Sequence, residues 1–171
     1  MNYLKGKRVY LAGPMQYDCD QTWRKMMSER LTADFGLVVF DPNADAKQQW
    51  VEDLVKAQAV KDYDTIERVA EGFVQKDLGV VDRQDFIIAN LPYKVPTVGT
   101  IHEIINAYSN LQKPVLLFCE KGKQFISFWL YGVIDHRYFM FNNPYEIYNY
   151  LDKVDQGLIE HRRWNFVYGR V

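Results

Sequence analysis

Short apolar runs separated by longer amphipathic stretches dominate the pattern of the 171-residue chain. The clearest runs are RVYLA (8–12), LVVF (37–40), FIIANL (86–91) and VLLF (115–118). Each has the length of a strand that is buried on both faces, and glycine or proline borders each of them, as is common at strand ends. A weaker run, Tyr138 to Phe141, predicts a fifth strand.

The stretches between these runs have the spacing of amphipathic helices. The pattern predicts helices over 21–33, 100–111, 126–132 and 144–151, with two more between 44 and 80. Strands that alternate with helices are typical of a parallel sheet covered on both faces. We therefore expect one α/β domain over residues 1–171, doubly wound, with five parallel strands and no linker or repeat.

The predicted topology gives the place of a binding site before it gives any chemistry. In a doubly wound sheet, ligands bind beyond the carboxyl ends of the strands, where the strand order reverses. That edge holds Gly13-Pro14 after the first strand, Asp41 after the second, and the loop from Pro92 to Gly99 after the third. Fold alone does not specify a reaction.

Composition narrows the class of protein. The net charge of −1 argues against a dedicated binder of a nucleic-acid polymer, which normally carries a basic excess. No run approaches the roughly 18 apolar residues of a membrane span, and no signal peptide is predicted. Cys19 and Cys119 lie far apart, which favours reduced thiols in a cytoplasmic protein.

Several familiar motifs are missing. Gly122-Lys123 lacks the spacing of a P-loop, and Gly13-Pro14 does not form a dinucleotide fingerprint. His102, His136 and His161 lack the spacing of metal ligands. We therefore expect neither a metal nor a cofactor. The aromatic residues concentrate after Gly122, where an oligomer interface or a wall for a base is expected.

Glu103 is the strongest candidate for chemistry, and two interpretations of it are open. In the first, Thr100 caps a helix and Glu103, three residues later, completes a capping box. In the second, Glu103 lies at the mouth of the sheet on the first turn of that helix, whose N-terminus stabilises its negative charge. A positioned, ionised carboxylate is the group that attacks an anomeric carbon.

Asp77, Asp82 and Asp85 surround the end of a predicted helix and the start of the third strand. They are compatible with a solvated helix end and a cap at the start of the strand. Alternatively, one of them protonates a leaving group. The residues alone leave both possibilities open.

Taken in order, a set of residues resembles the nucleoside 2-deoxyribosyltransferase superfamily from Tyr10 to about Tyr150. The residues that carry the resemblance are Tyr10-Leu11-Ala12-Gly13-Pro14, Trp23-Arg24, Asp77, Asp85, Gly99-Thr100 and Glu103. The resemblance implies cleavage of the N-glycosidic bond of a deoxynucleoside or deoxynucleotide and transfer of the sugar to a free nucleobase. It also implies a homo-oligomer in which a neighbouring subunit completes the pocket.

The resemblance assigns roles to individual positions. Glu103 matches the nucleophile that forms a deoxyribosyl ester, Tyr10 its orienting hydroxyl, and Asp77 a proton donor near the base. Asp85 matches an aspartate that we expect to be structural. The residues expected to bind substrate are Gly13, Pro14, Trp23, Asp41, Thr97, Gly99 and Ser127.

Two positions depart from the transferase pattern. Thr97 stands where transferases carry an aspartate for the sugar 5′-hydroxyl, and Ser127 stands near a neighbouring subunit's asparagine. Related 2′-deoxynucleoside 5′-monophosphate N-glycosidases carry serines at both places, and hydroxyls can donate to a 5′-phosphate. Pro14 is the transferase-like form. Base transfer is therefore the first prediction, hydrolysis of a monophosphate the second, and a non-catalytic nucleotide sensor the third.

Four further side chains have open roles at this stage. Trp23 is expected in the core rather than as a stacking wall for a base. Arg24 either pairs with Asp41 or contacts a phosphate. Trp129 and Tyr131 are expected to pack in the core rather than to line a neighbour's pocket.

Overall fold

The sheet has five strands, and all of them are parallel. The computed structural model describes residues 2–15, 21–44 and 48–169. The strands are β1 (Arg8–Ala12), β2 (Val38–Phe40), β3 (Phe86–Asn90), β4 (Val115–Phe118) and β5 (Met140–Phe141). Their order in the sheet is β2-β1-β3-β4-β5, so the strand order reverses between β1 and β3. The predicted doubly wound α/β fold is confirmed.

Helices cover both faces of this sheet. They are α1 (Thr22–Phe35), α2 (Gln48–Ala59), α3 (Tyr63–Asp82), α4 (Val98–Ile105), α5 (Phe128–Val133), α6 (His136–Phe139), α7 (Pro144–Asp155) and α8 (Asn165–Tyr168). A π-helical segment, Asn106–Asn110, follows α4 directly. No helix in the described ranges is long and apolar enough to cross a membrane.

The central strands explain why their sequences are almost purely apolar. Every residue of β3 and β4 is buried, because helices pack against both of their faces. Successive side chains of a strand point to opposite faces, so Tyr10 and Leu11 of β1 face different helix layers. On the Leu11 side, the ring of Trp23 in α1 meets Phe118 edge-on at 5.2 Å between centroids.

The fifth strand is shorter than the sequence predicts. Tyr138 and Phe139 belong to α6, and only Met140–Phe141 pair with β4. The side chain of Asp135 accepts a hydrogen bond from the Arg137 amide and so starts a helical turn there. Phe139 is buried in either conformation, so the apolar run alone could not separate a strand from a helical turn.

The polar region between β2 and β3 folds as the two predicted helices, α2 and α3. They pack on each other, with the rings of Trp50 and Phe73 at 6.4 Å between centroids. At the other end of the chain the polar, aromatic tail is anchored by Trp164, which is fully buried and packs on Phe86 at 5.3 Å. The tail is therefore part of the core.

Candidate active site

A buried hydrogen bond joins β1 to α4 at the carboxyl edge of the sheet. The Tyr10 hydroxyl donates to Glu103 Oε1 at 2.6 Å, and both side chains are at least nine-tenths buried. The Tyr10 ring is fixed by stacking on Phe40, at 5.7 Å between centroids. Burial, followed by the charge of Glu103, raises the pKa of Tyr10 far above its usual range. Tyr10 therefore stays protonated and remains a donor to Glu103.

The capping-box interpretation of Glu103 is wrong. The helix begins at Val98, two residues earlier than predicted, because the Ile101 amide bonds the Thr97 carbonyl at 2.8 Å. Thr100 is buried within the first turn and does not cap the helix. Glu103 consequently lies in the second turn, so the helix N-terminus stabilises its charge less than the sequence analysis expects.

Asp77 is brought to the same place by α3. Its side chain is half-buried, and its charge adds to burial and to Glu103 in raising the pKa of Tyr10. Tyr10 therefore lies within electrostatic reach of both Glu103 and Asp77, the two other groups that the resemblance names as catalytic. This is the largest part of the expected site that the structure assembles.

Asp82 and Asp85 lie elsewhere. Asp85 Oδ2 accepts from the Arg8 amide at 2.6 Å and joins the start of β3 to the start of β1. This is the opposite edge of the sheet from Glu103, and it agrees with the structural role expected for Asp85. Asp82 is exposed at the end of α3.

Arg24 pairs with Asp41, as one of the two interpretations of the sequence expects. Its side chain is 1% exposed, and Nη1 donates to Asp41 Oδ1 at 3.2 Å and to the Leu11 carbonyl. Nε donates to Gln21 Oε1 at 2.8 Å. Asp41 also accepts from the Asn43 amide at 2.9 Å, so its carboxylate already serves two donors of the protein.

The guanidinium of Arg24 is a fixed positive charge next to the hydrogen-bonded pair. Burial lowers the pKa of Arg24, and the negative charge of Asp41 acts against that shift. Tyr10 and Glu103 act in the same direction as Asp41, so Arg24 lies within electrostatic reach of both.

Gly13 is required by packing. A Cβ at this position would lie 2.9 Å from Arg24 Nη2 and 3.2 Å from Trp23 Cζ2. Pro14 is buried, and its carbonyl accepts from Gln21 Nε2 at 3.0 Å. Trp23 is 5% exposed, which favours the expected core position over a stacking wall for a base. Substrate contacts of these residues remain predictions.

Thr97 and Gly99 lie at the start of α4. Thr97 is half-buried at the N-cap position, and its hydroxyl makes no capping hydrogen bond. Gly99 is exposed, and nothing lies within 4 Å of a Cβ built on it. The first turn of α4, one turn before Glu103, is therefore uncovered at Gly99.

Exposed aromatic side chains follow β4 at the same edge of the sheet. Ser127 is exposed, and its hydroxyl caps α5 by accepting from the Trp129 amide at 3.3 Å. Phe128 and Trp129 are 89% and 76% exposed, so the expected core position of Trp129 is wrong. Tyr131 is half-buried and donates to the Lys123 carbonyl at 2.8 Å. The six-residue α5 carries more apolar residues than its one packed face can bury.

Two polar residues outside the expected site, Gln21 and Asn90, also lie near the carboxyl ends of the strands. The side chain of Gln21 accepts a hydrogen bond from Arg24 Nε and donates one to the Pro14 carbonyl. Asn90, the last residue of β3, is 2% exposed, and its Oδ1 has no hydrogen-bond partner among the described residues. In the sequence, the one sign that Asn90 matters is its place inside the apolar run FIIANL, since a buried polar side chain in a strand usually has a specific role.

The described part of the chain offers no cluster of histidine, cysteine, aspartate and glutamate that could hold a metal ion. Cys119 is a buried free thiol. Cys19 lies outside the described residues.

Comparisons with known proteins identify the family and support the fold. The sequence pattern of the nucleoside 2-deoxyribosyltransferase family matches residues 9–159. No protein of curated function matches the chain. Among solved structures, the chain is similar in fold to a 2-deoxyribosyltransferase from Bacillus psychrosaccharolyticus, with a TM-score of 0.54 and 19% identity over 82% of this chain and 89% of that one. Since the family pattern spans nearly the whole sheet and its helices, the chain belongs to the nucleoside 2-deoxyribosyltransferase family.

Proposed function

We propose that the protein cleaves the N-glycosidic bond of a 2′-deoxynucleoside and transfers the sugar to another base. The observation that carries the proposal is the buried hydrogen bond from Tyr10 to Glu103 at the carboxyl edge of the sheet. This bond fixes the direction of the carboxylate, which is the requirement for attack on a sugar carbon. Family membership supports the same chemistry.

In the first step, a carboxylate oxygen of Glu103 bonds to C1′ while the C1′–N bond breaks. The bonding electrons leave with the base, and Asp77 in its acid form gives a proton to the base nitrogen. A 2-deoxyribosyl C1′ reacts readily because no 2′-hydroxyl withdraws electrons from it. The product is a deoxyribosyl ester of Glu103.

In the second step, a nitrogen of the incoming base attacks C1′ and the ester bond breaks. The electrons return to the Glu103 carboxylate, and the proton of the incoming base passes to Asp77. Each group ends in its starting state, so no cofactor is required by the proposed cycle.

The proposed active form is a homo-oligomer. Phe128 and Trp129 expose large apolar areas, and such exposed patches often mark protein interfaces. The ring of Phe125 contacts Tyr93 at 4.8 Å, which brings this segment beside the loop that precedes α4. We propose that Ser127 of one subunit reaches the 5′ end of the sugar in its neighbour.

Hydrolysis of a deoxynucleoside 5′-monophosphate is the alternative function. It is favoured by Thr97, whose hydroxyl does not cap α4. A hydroxyl can donate to a phosphate oxygen, whereas a carboxylate at this position would repel it. In this alternative, water takes the place of the incoming base.

The test is to incubate the protein with deoxynucleosides and with deoxynucleoside monophosphates, each with and without a free base, and to separate the products by chromatography. A new nucleoside that forms only with added base supports the transferase. Release of base from monophosphates alone supports the hydrolase. The absence of turnover with folded protein contradicts both and leaves the sensor.

Replacing Asp77 by asparagine should slow the reaction of ordinary bases by about 10²- to 10⁴-fold, the range typical of a lost general acid. A substrate whose base leaves readily as an anion should be slowed far less, because that base needs no proton. Single-turnover rates with both kinds of substrate measure the difference. Asp82→Asn, at the exposed end of the same helix, is the control, and equal slowing of both substrates would argue against the acid role.

Replacing Gly99 by alanine should weaken substrate binding without destabilising the fold. The added methyl group meets no protein atom within 4 Å, so the fold can accommodate it, and we propose that it enters the space used by the substrate. Gly72 of α3 also has open space around it, and Gly72→Ala is the matched control. Alanine should raise helix stability by up to about 1 kcal/mol in both variants. Only Gly99→Ala should raise KM, and an unchanged KM would place the ligand elsewhere.

A further inference from the structure

A cavity lies apart from the Tyr10–Glu103 pair. It has a volume of about 420 Å³ and lies between the π-helical segment, the end of α5 and the stretch 161–163. We refer to it as the Arg163 cleft, after the side chain that forms its wall together with Tyr108 and Tyr131. None of the proposed catalytic residues lines it.

Arg163 is held rigidly in this wall. Its Nη1 donates to the Tyr108 carbonyl at 2.8 Å and to the Lys113 carbonyl at 3.3 Å. The guanidinium carbon lies 3.5 Å from the centroid of the Tyr108 ring, which is close enough for a cation–π interaction. The residue is 6% exposed, so little freedom is left to lose when a ligand binds.

One side of this guanidinium is unused. Nε is buried and has no hydrogen-bond partner, and Nη2 makes no hydrogen bond with the described part of the chain. Nε and Nη2 form one edge of the planar group, and their N–H bonds are parallel. This edge is the one that binds two oxygens of a carboxylate or phosphate.

The charges around the cleft favour an anion. Arg162 is exposed at its rim and adds a second positive charge. Asp135 is the one acidic residue in the lining, and its carboxylate is engaged by the Arg137 amide at 3.1 Å. Burial lowers the pKa of His161, so that its ring is largely neutral near pH 7 and Nδ1 accepts from the Arg163 amide.

We propose that the Arg163 cleft binds a phosphoryl group, with two phosphate oxygens accepting from Nε and Nη2 of Arg163. A phosphate monoester carries between one and two negative charges at pH 7, which matches Arg163 and the neighbouring Arg162 better than a carboxylate does. The phosphoryl group belongs to inorganic phosphate or to a nucleoside monophosphate. The proposal is independent of the reaction at Glu103.

The test is a titration of ¹⁵N-labelled protein with inorganic phosphate, followed by NMR. The reporters are the Nε–H signal of Arg163 and the amide of Gly132, which lines the cleft, with the amide of Gly99 reporting on the catalytic edge. We expect saturating shifts of the first two while Gly99 stays unchanged. Shifts that do not saturate, or shifts at Gly99 alone, would overturn the proposal.

Two further titrations identify the source of the phosphoryl group. A deoxynucleoside without phosphate should leave Arg163 and Gly132 unshifted, and a shift would show that the base or sugar is recognised instead. A nucleoside monophosphate that binds the cleft at least tenfold more tightly than phosphate identifies a nucleotide site. Equal affinities identify free phosphate. Each of these last two results supports the phosphoryl site.

Variants link the affinity to the side chains. Arg163→Lys keeps a positive charge but loses the two-pronged edge, so phosphate affinity should fall at least tenfold. Because Arg163 also holds two carbonyl groups, Arg162→Ala provides a second variant with an exposed side chain, and it should weaken binding severalfold. Arg68→Ala, exposed on α3, is the control. If all three variants bind phosphate alike, the cleft is not the site.

Discussion

Replacing Glu103 by glutamine should abolish turnover while the protein remains folded. Glutamine has the shape of glutamate and can still accept the hydrogen bond from Tyr10, but it cannot form the sugar ester. Loss of a nucleophile lowers kcat by factors on the order of 10⁴ to 10⁶. Single-turnover assays measure the loss, and ligand binding by calorimetry should persist because the pocket is unchanged.

Glu120→Gln is the matched control, since Glu120 is an exposed glutamate that follows β4 at the same edge of the sheet. It should leave turnover unchanged. Equal activity of the Glu103→Gln variant and the wild type would exclude the ester mechanism. A protein that binds nucleotides and shows no turnover in either form would instead be a sensor built on this fold.

Replacing Asp41 by alanine should give the largest loss of stability among single changes at this edge, about 3 kcal/mol. The change leaves the guanidinium of Arg24 buried at 1% exposure without its ion-pair partner. The value is placed at the lower end of the usual range because Asp41 is itself 21% exposed. Urea unfolding followed by circular dichroism measures the free energy.

Asp152→Ala, on the exposed side of α7, is the control and should change the free energy of unfolding by less than about 0.5 kcal/mol. Adding Arg24→Met to Asp41→Ala should restore part of the loss, because it removes the unpaired charge. If the double variant is less stable than Asp41→Ala alone, the hydrogen bonds of Arg24 to Leu11 and Gln21 stabilise the fold by more than the cost of burying its unpaired charge.

The sheet could be predicted because its central strands β1, β3 and β4 are almost fully buried and so stand out as short apolar runs. Four strands begin and end within one residue of their predicted bounds. The fifth, at the edge of the sheet, has only two residues, and its apolar run is shared with α6. Asp135 starts a helical turn that includes Tyr138 and Phe139, so the predicted strand was two residues too long.

The site was predictable as a set of residues more than as a geometry. The spacing of Thr100 and Glu103 is compatible with a helix capped by Thr100 and also with the observed helix, which starts at Val98. In the observed helix Glu103 accepts a hydrogen bond from Tyr10, and sequence spacing could not reveal this bond because the two residues are far apart in the chain. The exposure of Trp129 was also beyond the sequence, because an exposed apolar residue in a short helix has the same pattern as a core residue.

The parallel arrangement of the sheet also governs how the chain folds. Val9 pairs with Phe86, so almost half of the chain separates β1 from its neighbour β3. Contacts between such distant segments form slowly because a long loop must close first. The α2–α3 pair, whose contacts are local, is expected to form early, while the hydrogen bond between Tyr10 and Glu103 forms only after β1 has joined the sheet. Catalytic competence is therefore acquired late, during the slowest events of folding.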